Sequence, residues 1–243
     1  MTVQSDNLMP SPTCDRFVVF LDILGFTDRV FRDEHEKILK DLLSVKQPIN
    51  EMQILSNMFS KDRVKSPEDI SIQIQPITFS DSIILFSGDD SAISLITTAL
   101  WTQYIVENAI SLSIPIKGAI AFGHLTADTK NSLYFGKPLI YAYELQDEIL
   151  AYSVVLHHTA EQRFEELSKH PIKGLNVVSL NDFFVKYKIP LKKGAVNHYL
   201  LRPSEPDQLK ESLIGLYNIV SGYKRCYVDN TLIFLDSINT STN

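Results

Sequence analysis

The stretch Phe17-Val18-Val19-Phe20-Leu21-Asp22-Ile23-Leu24-Gly25-Phe26-Thr27 decides the fold. Its first five residues form an unbroken apolar run, the pattern of a strand buried on both faces at the centre of a covered sheet. The run stops at Asp22, and Gly25-Phe26-Thr27 then opens a helix. Ile38, Leu42 and Val45 recur at helical spacing down to about Gln47, where Pro48 is expected to reset the chain. A second short helix is expected to carry Met52, Leu55 and Phe59, followed by a charged, solvated loop from Ser60 to Asp69.

Further along, Ile70, Ile72 and Ile74 alternate with Ser71, Gln73 and Gln75, the period of a half-buried strand. Ile83-Ile84-Leu85-Phe86 returns from it through the tight turn Ser80-Asp81-Ser82, so an antiparallel hairpin is expected with Asp81 at its tip. A long helix follows from about Asp89 to Leu112, with Asp89, Asp90 and Ser91 as caps. Ile114 to Gly123 reads as a strand, and a turn at Gly136 leads into a helix over Pro138 to Leu150. The order strand, helices, hairpin, helix, strand, helix is that of a ferredoxin-like split βαβ sandwich, an α/β (α+β) fold. Ser153 to Leu156, a helix over Thr159 to Leu167, Leu175 to Leu180 and Val196 to Leu201 read as β/α additions to the same sheet. Past Pro203 to Asp207 a last helix is expected to end near Gly222. With no repeat and no linker in the chain, one domain is expected, with a core at about 16–150 and an extension over 151–243.

A hydrophobic content of 44% over 243 residues is enough for a substantial core. The formal charge of −6 argues against a nucleic-acid coat or a membrane-surface protein, so neither partner is expected. It leaves a small anionic substrate open, because a phosphate site needs only a few local cations or metals. Cys14 and Cys226 are too few for a disulfide framework and too distant for a metal knuckle, so free thiols in a reducing cytoplasm are expected. Met1 to Thr13 has no apolar segment of a signal peptide, and no apolar run reaches the ~18 residues of a membrane span.

The chemistry centres on two acids. Asp22 ends a buried strand, where an unpaired charge is expensive; taken alone, it also reads as a cap on the next helix. Asp81 sits on a hairpin expected to pack beside that strand, which brings both carboxylates to one sheet edge. Like charges at close range call for a cation between them, and hard oxygen ligands favour magnesium or manganese. Ile23 to Thr27 runs from the strand end into a helix N-terminus, where backbone N–H groups favour an anion and Gly25 allows close approach. The expected phosphate seat is therefore Ile23, Leu24, Gly25, Phe26 and Thr27.

These residues resemble a known family. Phe20 to Thr27 is similar to the first metal motif of class III nucleotidyl cyclases, and Thr78-Phe79-Ser80-Asp81-Ser82 to their second metal hairpin, with Ser80 where glycine is usual. Lys117 to Gly123 and Tyr134-Phe135-Gly136 resemble later blocks, so the likeness covers about Phe17 to Leu145. Within the superfamily, Phe79-Ser80-Asp81, Gly118-Ala119-Ile120-Ala121 and Ala142-Tyr143-Glu144-Leu145 resemble the pyrimidine cyclases of the Pycsar antiphage system. That resemblance implies a homodimer with active sites at its interface and a UTP or, second, CTP substrate. It also implies a cyclic nucleotide read by a separate effector, and two Mn2+ or Mg2+ ions per site on Asp22, Asp81 and the Ile23 carbonyl.

The departures are specific. Positions that select adenine in the purine enzymes fall on Ile77 and Leu133, and their transition-state asparagine and arginine align near Ile140 and Glu144. Candidate replacement cations are Lys117, Lys137, Lys224 and Arg225, with Lys117 placed among the catalytic residues and Lys224 among the nucleotide-binding ones; the alternative for Lys117 is a rim lysine reaching solvent. His157 and His158 are expected on a strand, facing opposite ways, and His124 near the site. Tyr141, Tyr143 and Phe135 are candidates for base stacking or interface packing. Two other readings stay open: an inactive nucleotide-binding or dimerisation module of the same fold, and a palm-like transferase making dinucleotides.

Overall fold

A computed structural model describes residues 12–62, 74–170, 179–218 and 220–239. Among them, eight strands form one sheet in the order β2-β3-β1-β4-β6-β8-β7, with β5 paired to β4 off that path. The strands are β1 (Thr13–Ile23), β2 (Ile74–Phe79), β3 (Ser82–Ser87), β4 (Ile116–Asp128), β5 (Leu133–Gly136), β6 (Val154–Leu156), β7 (Phe184–Leu191) and β8 (Gly194–Leu201). The helices are α1 (Phe26–Arg32), α2 (His35–Asp62), α3 (Ala92–Ser111), α4 (Lys137–Glu148), α5 (His158–Leu167), α6 (Pro206–Leu216) and α7 (Arg225–Asn239). No helix among the described residues is long and apolar enough to cross a membrane.

The apolar run sits where its pattern requires. β1 lies between β3 and β4, antiparallel to both. α1 and α2 connect β1 to β2 with β3 inserted between those strands, and α3 connects β3 to β4 with β1 inserted between those. Two interleaved βαβ units of this kind are the ferredoxin-like plan, and β6, β7, β8, α6 and α7 are additions to it. Alternation along β1 sends Phe17, Val19, Leu21 and Ile23 into the main core with Leu95, Ile105 and Ile110 of α3. Val18 and Phe20 point to the other face, where Phe20 packs with Ala121 and with Ala142 of α4. Asp22 continues that second face.

Several elements differ from expectation. Helix α2 runs through Pro48 instead of resetting there. The carbonyl that loses its intrahelical donor at a proline is the fourth residue back, here Ser44, and the Asn108 side chain of α3 donates to it at 3.0 Å. Buried Val45 and Ile49 hold the same segment against the core. The strand expected from Ile70 begins, within the described residues, at Ile74; Ile70 and Ile72 lie outside them, as does most of the loop expected before them and most of Leu175 to Leu180. β5 and β7 were not expected, and the helix expected to end near Gly222 stops at Leu216. Helix α7 is also new. It buries Tyr227, Val228, Thr231, Phe234, Leu235 and Ile238, a helical spacing present in the sequence.

Candidate active site

At the end of β1 the chain turns sharply, and backbone hydrogen bonds fix where it goes. The Ile23 N–H donates to the Asp81 carbonyl at 3.0 Å, and the Leu24 N–H to the Pro115 carbonyl at 2.9 Å. Asp22 is the register partner of Ser82 on one side and of Lys117 on the other. The β2–β3 turn is two residues long, with Ser80 at φ 55°, a left-handed conformation that costs a non-glycine residue about 1–2 kcal/mol. Asp81 is thereby pinned beside Asp22. Gly25, at φ 73°, caps α1 with no side-chain partner, and a Cβ there would meet nothing within 4 Å. Its requirement is conformational rather than steric.

The electrostatics follow from that placement. Burial, then the negative charge of Asp81, pushes the Asp22 carboxyl above its ordinary range; Lys117 counters the shift and Asp147 adds to it. Lys117 is 3% exposed, which corrects the rim-lysine alternative. Its Nζ donates to the carbonyls of Asp147 at 3.2 Å and Ile149 at 3.0 Å, and lies 5.5 Å from the Tyr227 ring centroid. A cation against the unsatisfied carbonyls of a helix end is favourable, so Lys117 ties the end of α4 to the strand position opposite Asp22. Burial lowers its pKa to about 8, against the pull of Asp147 and Asp22.

Three residues of this constellation were not foreseen: Asp147, Lys192 and Tyr227. Lys192 pairs with Asp147 at 2.7 Å. The β7–β8 turn that carries Lys192 is bound to the end of α4, the Lys192 N–H donating to the Glu148 carbonyl and the Leu150 N–H to the Pro190 carbonyl. Such a contact joins segments about 45 residues apart, so no local pattern announces it.

The remaining candidates fall elsewhere. Lys224 pairs with Asp28 on α1 at 2.7 Å. Together with Leu24 and Gly25 it lines a cavity of about 680 Å³ that has none of Asp22, Asp81 and Lys117 in its walls. Arg225 donates to the Val220 and Tyr217 carbonyls, and Lys137 is the first residue of α4. His124 lies inside β4, paired with Asp15 at the opposite end of the β1–β4 ladder from Asp22, so the expectation that it sits near the site is corrected. His157 is also not on a strand: it caps α5 and His158 begins that helix, with ring centroids 4.0 Å apart. Helical backbone brings together two rings that a strand would have separated. Tyr141 stacks on His157, Tyr143 meets Phe20 edge-on, and Phe135 is exposed.

Among the described residues, no three His, Cys, Asp or Glu side chains are grouped to hold a metal on their own. The donor set at Asp22, Asp81 and the Ile23 carbonyl is nonetheless all hard oxygen, and Mg2+ takes one or two carboxylates and completes its shell with water and substrate phosphates. The residues fit that group.

No family model and no curated protein matches the chain. Similar solved structures include the catalytic core of a rhodopsin-guanylyl cyclase with converted specificity in complex with ATPalphaS. It is 17% identical with a TM-score of 0.46, over 78% of this chain and 95% of that one. Another is the monomeric guanylyl cyclase domain of the RhoGC fusion protein from the aquatic fungus Blastocladiella emersonii, at 15% and 0.45, over 78% and 95%. A bacterial light-regulated adenylyl cyclase is 9% identical with a TM-score of 0.46, over 84% and 98%. At such identities the site has to be read from its own residues.

Proposed function

We propose that this chain is a nucleotidyl cyclase of class III type, acting on a pyrimidine nucleoside triphosphate, with UTP ahead of CTP. The observation that carries the reading is the pair Asp22 and Asp81, held together at one strand end by the Ile23–Asp81 backbone bond, with burial and then the Asp81 charge raising the Asp22 carboxyl. The reaction joins the ribose 3′ oxygen to the α-phosphorus as the bond to the β-phosphate breaks, releasing pyrophosphate. When bound by Asp22, Asp81 and the Ile23 carbonyl, divalent manganese or magnesium supplies charge neutralisation at the triphosphate and acidification of the 3′-hydroxyl.

The chain's own part is orientation. The left-handed Gly25 turn keeps side chains away from the phosphates, and the N–H groups from Gly25 to Thr27 are the ones left to face them, since the Ile23 and Leu24 N–H groups are spent on the Asp81 and Pro115 carbonyls. Lys117 fixes Asp22 relative to α4. Ile77 and Leu133 offer no polar partner for adenine, which supports a pyrimidine. Phe79, Leu133, Phe135, Ile140 and Tyr143 are large and exposed on the hairpin, β5 and α4. They support a homodimer whose second copy covers that face. The full reading is one domain, cytoplasmic, whose cyclic product serves an effector in antiphage defence.

One observation favours a second reading, an inactive nucleotide-binding module: Ile140 and Glu144 stand exposed on α4 where the purine enzymes carry asparagine and arginine. Incubating the protein with each of the four triphosphates and Mn2+, then identifying the product by mass, separates the two. Cyclic UMP or CMP with pyrophosphate, absent in Asp22→Ala and Asp81→Ala, supports the cyclase. Binding with no pyrophosphate supports the module, and turnover retained in either variant defeats the two-carboxylate site.

A further inference from the structure

The cavity of about 680 Å³ behind the Leu24–Gly25 turn is large enough for a metabolite, since small-molecule sites run from about 300 to 1,000 Å³. Its composition changes from floor to mouth. The floor is aromatic: Tyr152 and Tyr227 stack at 5.6 Å with their planes 20° apart, and both are buried. Leu24, Pro115 and Val220 make apolar sides. Tyr223 stands at the mouth 68% exposed, a ring that gains contact from whatever enters.

The mouth is cationic. Arg32, Lys37 and Lys224 line it, and each is tied to a carboxylate only through its own exposed side chain: Arg32 and Lys37 to Asp33, Lys224 to Asp28. The Lys224–Asp28 pair is exposed on both sides and contributes little, while Arg32 and Lys37 meet a largely buried Asp33 carboxylate but keep exposed donors of their own for a phosphate. With Arg29, four cations face three carboxylates, Asp28, Asp33 and Asp41, in a chain whose net charge is −6. Locally the balance is reversed. An apolar aromatic floor under a cationic mouth matches a planar ring carrying an anionic group.

We propose that this cavity is a second binding site, independent of metal, for a nucleoside monophosphate. It is distinct from the candidate catalytic centre because Asp22, Asp81 and Lys117 are absent from its walls. It is also mechanically joined to that centre. Leu24 and Gly25 form both its wall and the turn that follows Asp22, and the Tyr227 ring on its floor is the one that faces Lys117. Occupancy therefore bears on the geometry of Asp22 from two directions.

Titration calorimetry of the full-length protein in EDTA, with UMP, CMP, AMP and GMP in turn, tests this without relying on the cyclase reading. At least one monophosphate is expected to saturate, with its nucleoside alone and inorganic phosphate alone each at least about tenfold weaker. Asp22→Ala is expected to leave that affinity within about twofold, and Arg32→Glu/Lys37→Glu to lower it at least about tenfold. Tyr223→Ala, at the exposed mouth, is expected to weaken binding as well, and it serves as the second probe if the charge-reversed variant fails to fold by circular dichroism. The proposal is overturned if no monophosphate saturates by about 10 mM, if the bare nucleoside binds as tightly as its phosphate, or if binding needs metal or Asp22. Undiminished affinity in the mouth variants overturns it too. Cyclase activity can fail with this binding intact, and the reverse, so the two readings are judged separately.

Discussion

Gly118 is a position where the central strands have no room for a side chain, and it lies beside the candidate metal pair. It is the register partner of Leu21, one step from the Asp22–Lys117 pair. A Cβ at Gly118 would sit 2.6 Å from the Phe20 carbonyl oxygen and 2.4 Å from Leu21 Cδ2. The leucine carbon can swing aside, but the carbonyl belongs to the backbone of the central strand. Ordinary contact begins near 3.4 Å, so Gly118→Ala must move β1 from β4 by about 0.8 Å. Overpacking of this kind costs about 1–3 kcal/mol, which lowers Tm by roughly 2–12 °C for a chain of this size. Because the displaced strand carries Asp22, turnover is expected to fall further than stability does, by about a hundredfold for a misplacement near 1 Å. Thermal denaturation followed by circular dichroism gives the first number, and cyclic nucleotide formed per minute at a temperature where the variant is fully folded gives the second. A variant with unchanged Tm and unchanged turnover would refute the close β1–β4 approach and the dependence of activity on it.

Two further predictions concern charge. Asp22 has a folded pKa raised above its ordinary value by burial and by Asp81, so the folded state holds its proton more tightly than the unfolded one and stability falls as pH rises through that raised pKa. Asp22→Asn is therefore expected to raise the Tm of metal-free protein at pH 7 while removing turnover, and the Tm gain that Mn2+ gives the parent should shrink in the variant; a metal-free Tm below the parent's counts against the unbalanced carboxylate. His157 has the opposite sign: burial, then His158 and His198, lowers it to about 4. The stability contributed by its neutral ring is present above the unfolded value of 6.5 and lost as pH falls from there toward 4. His157→Asn, which keeps a capping side chain on α5, is expected to flatten the fall of Tm across that window, and an unchanged acid limb excludes His157 as its source.

Much of this was legible locally. The apolar run to Leu21 reads as a strand covered on both faces, the tight Ser80-Asp81-Ser82 turn puts Asp81 at a hairpin tip, and the split βαβ order sets that hairpin beside the strand, so the carboxylate pair follows from periodicity, turn length and element order together. What escaped depended on contacts between distant segments. Pro48 is a helix breaker by its own chemistry, and only the Asn108 side chain, donated from another helix, satisfies the carbonyl it strands. Asp147 and Lys192 are unremarkable surface residues until α4 lies along β4 and the β7–β8 turn closes on its end. His157 and His158 differ from expectation for a local reason: the strand ends with its apolar run at Leu156, and His157 already caps the helix that follows. Helix α7 is legible too, in the helical spacing of Tyr227, Val228, Thr231, Phe234, Leu235 and Ile238.

The charges at the end of β1 bear on the proposed metal site. Three carboxylates, Asp22, Asp81 and Asp147, meet two lysines there, Lys117 and Lys192. Lys192 is committed to Asp147, and Lys117 to the two carbonyls that end α4. Among the described residues, neither Asp22 nor Asp81 has an ion pair. Lys117 tempers Asp22 through space, yet Asp22 is still pushed upward, so the compensation falls short. A chain selecting only for stability would relieve this with a neutral residue, because replacing an uncompensated buried charge is stabilising. Here the lysines are instead tied back by the end of α4 and by the β7–β8 turn and α7, two of the β/α additions that lie outside the split βαβ core. On this account those additions hold the cations in fixed positions, leaving the deficit at Asp22 and Asp81 to be met by a divalent ion. Severing the tie should then act on the metal: Lys117→Met is expected to shift the Mn2+ affinity of the folded protein, read by electron paramagnetic resonance without substrate, and Lys117→Arg to restore part of it. Equal affinity in all three proteins would show that the end of α4 plays no part in the site.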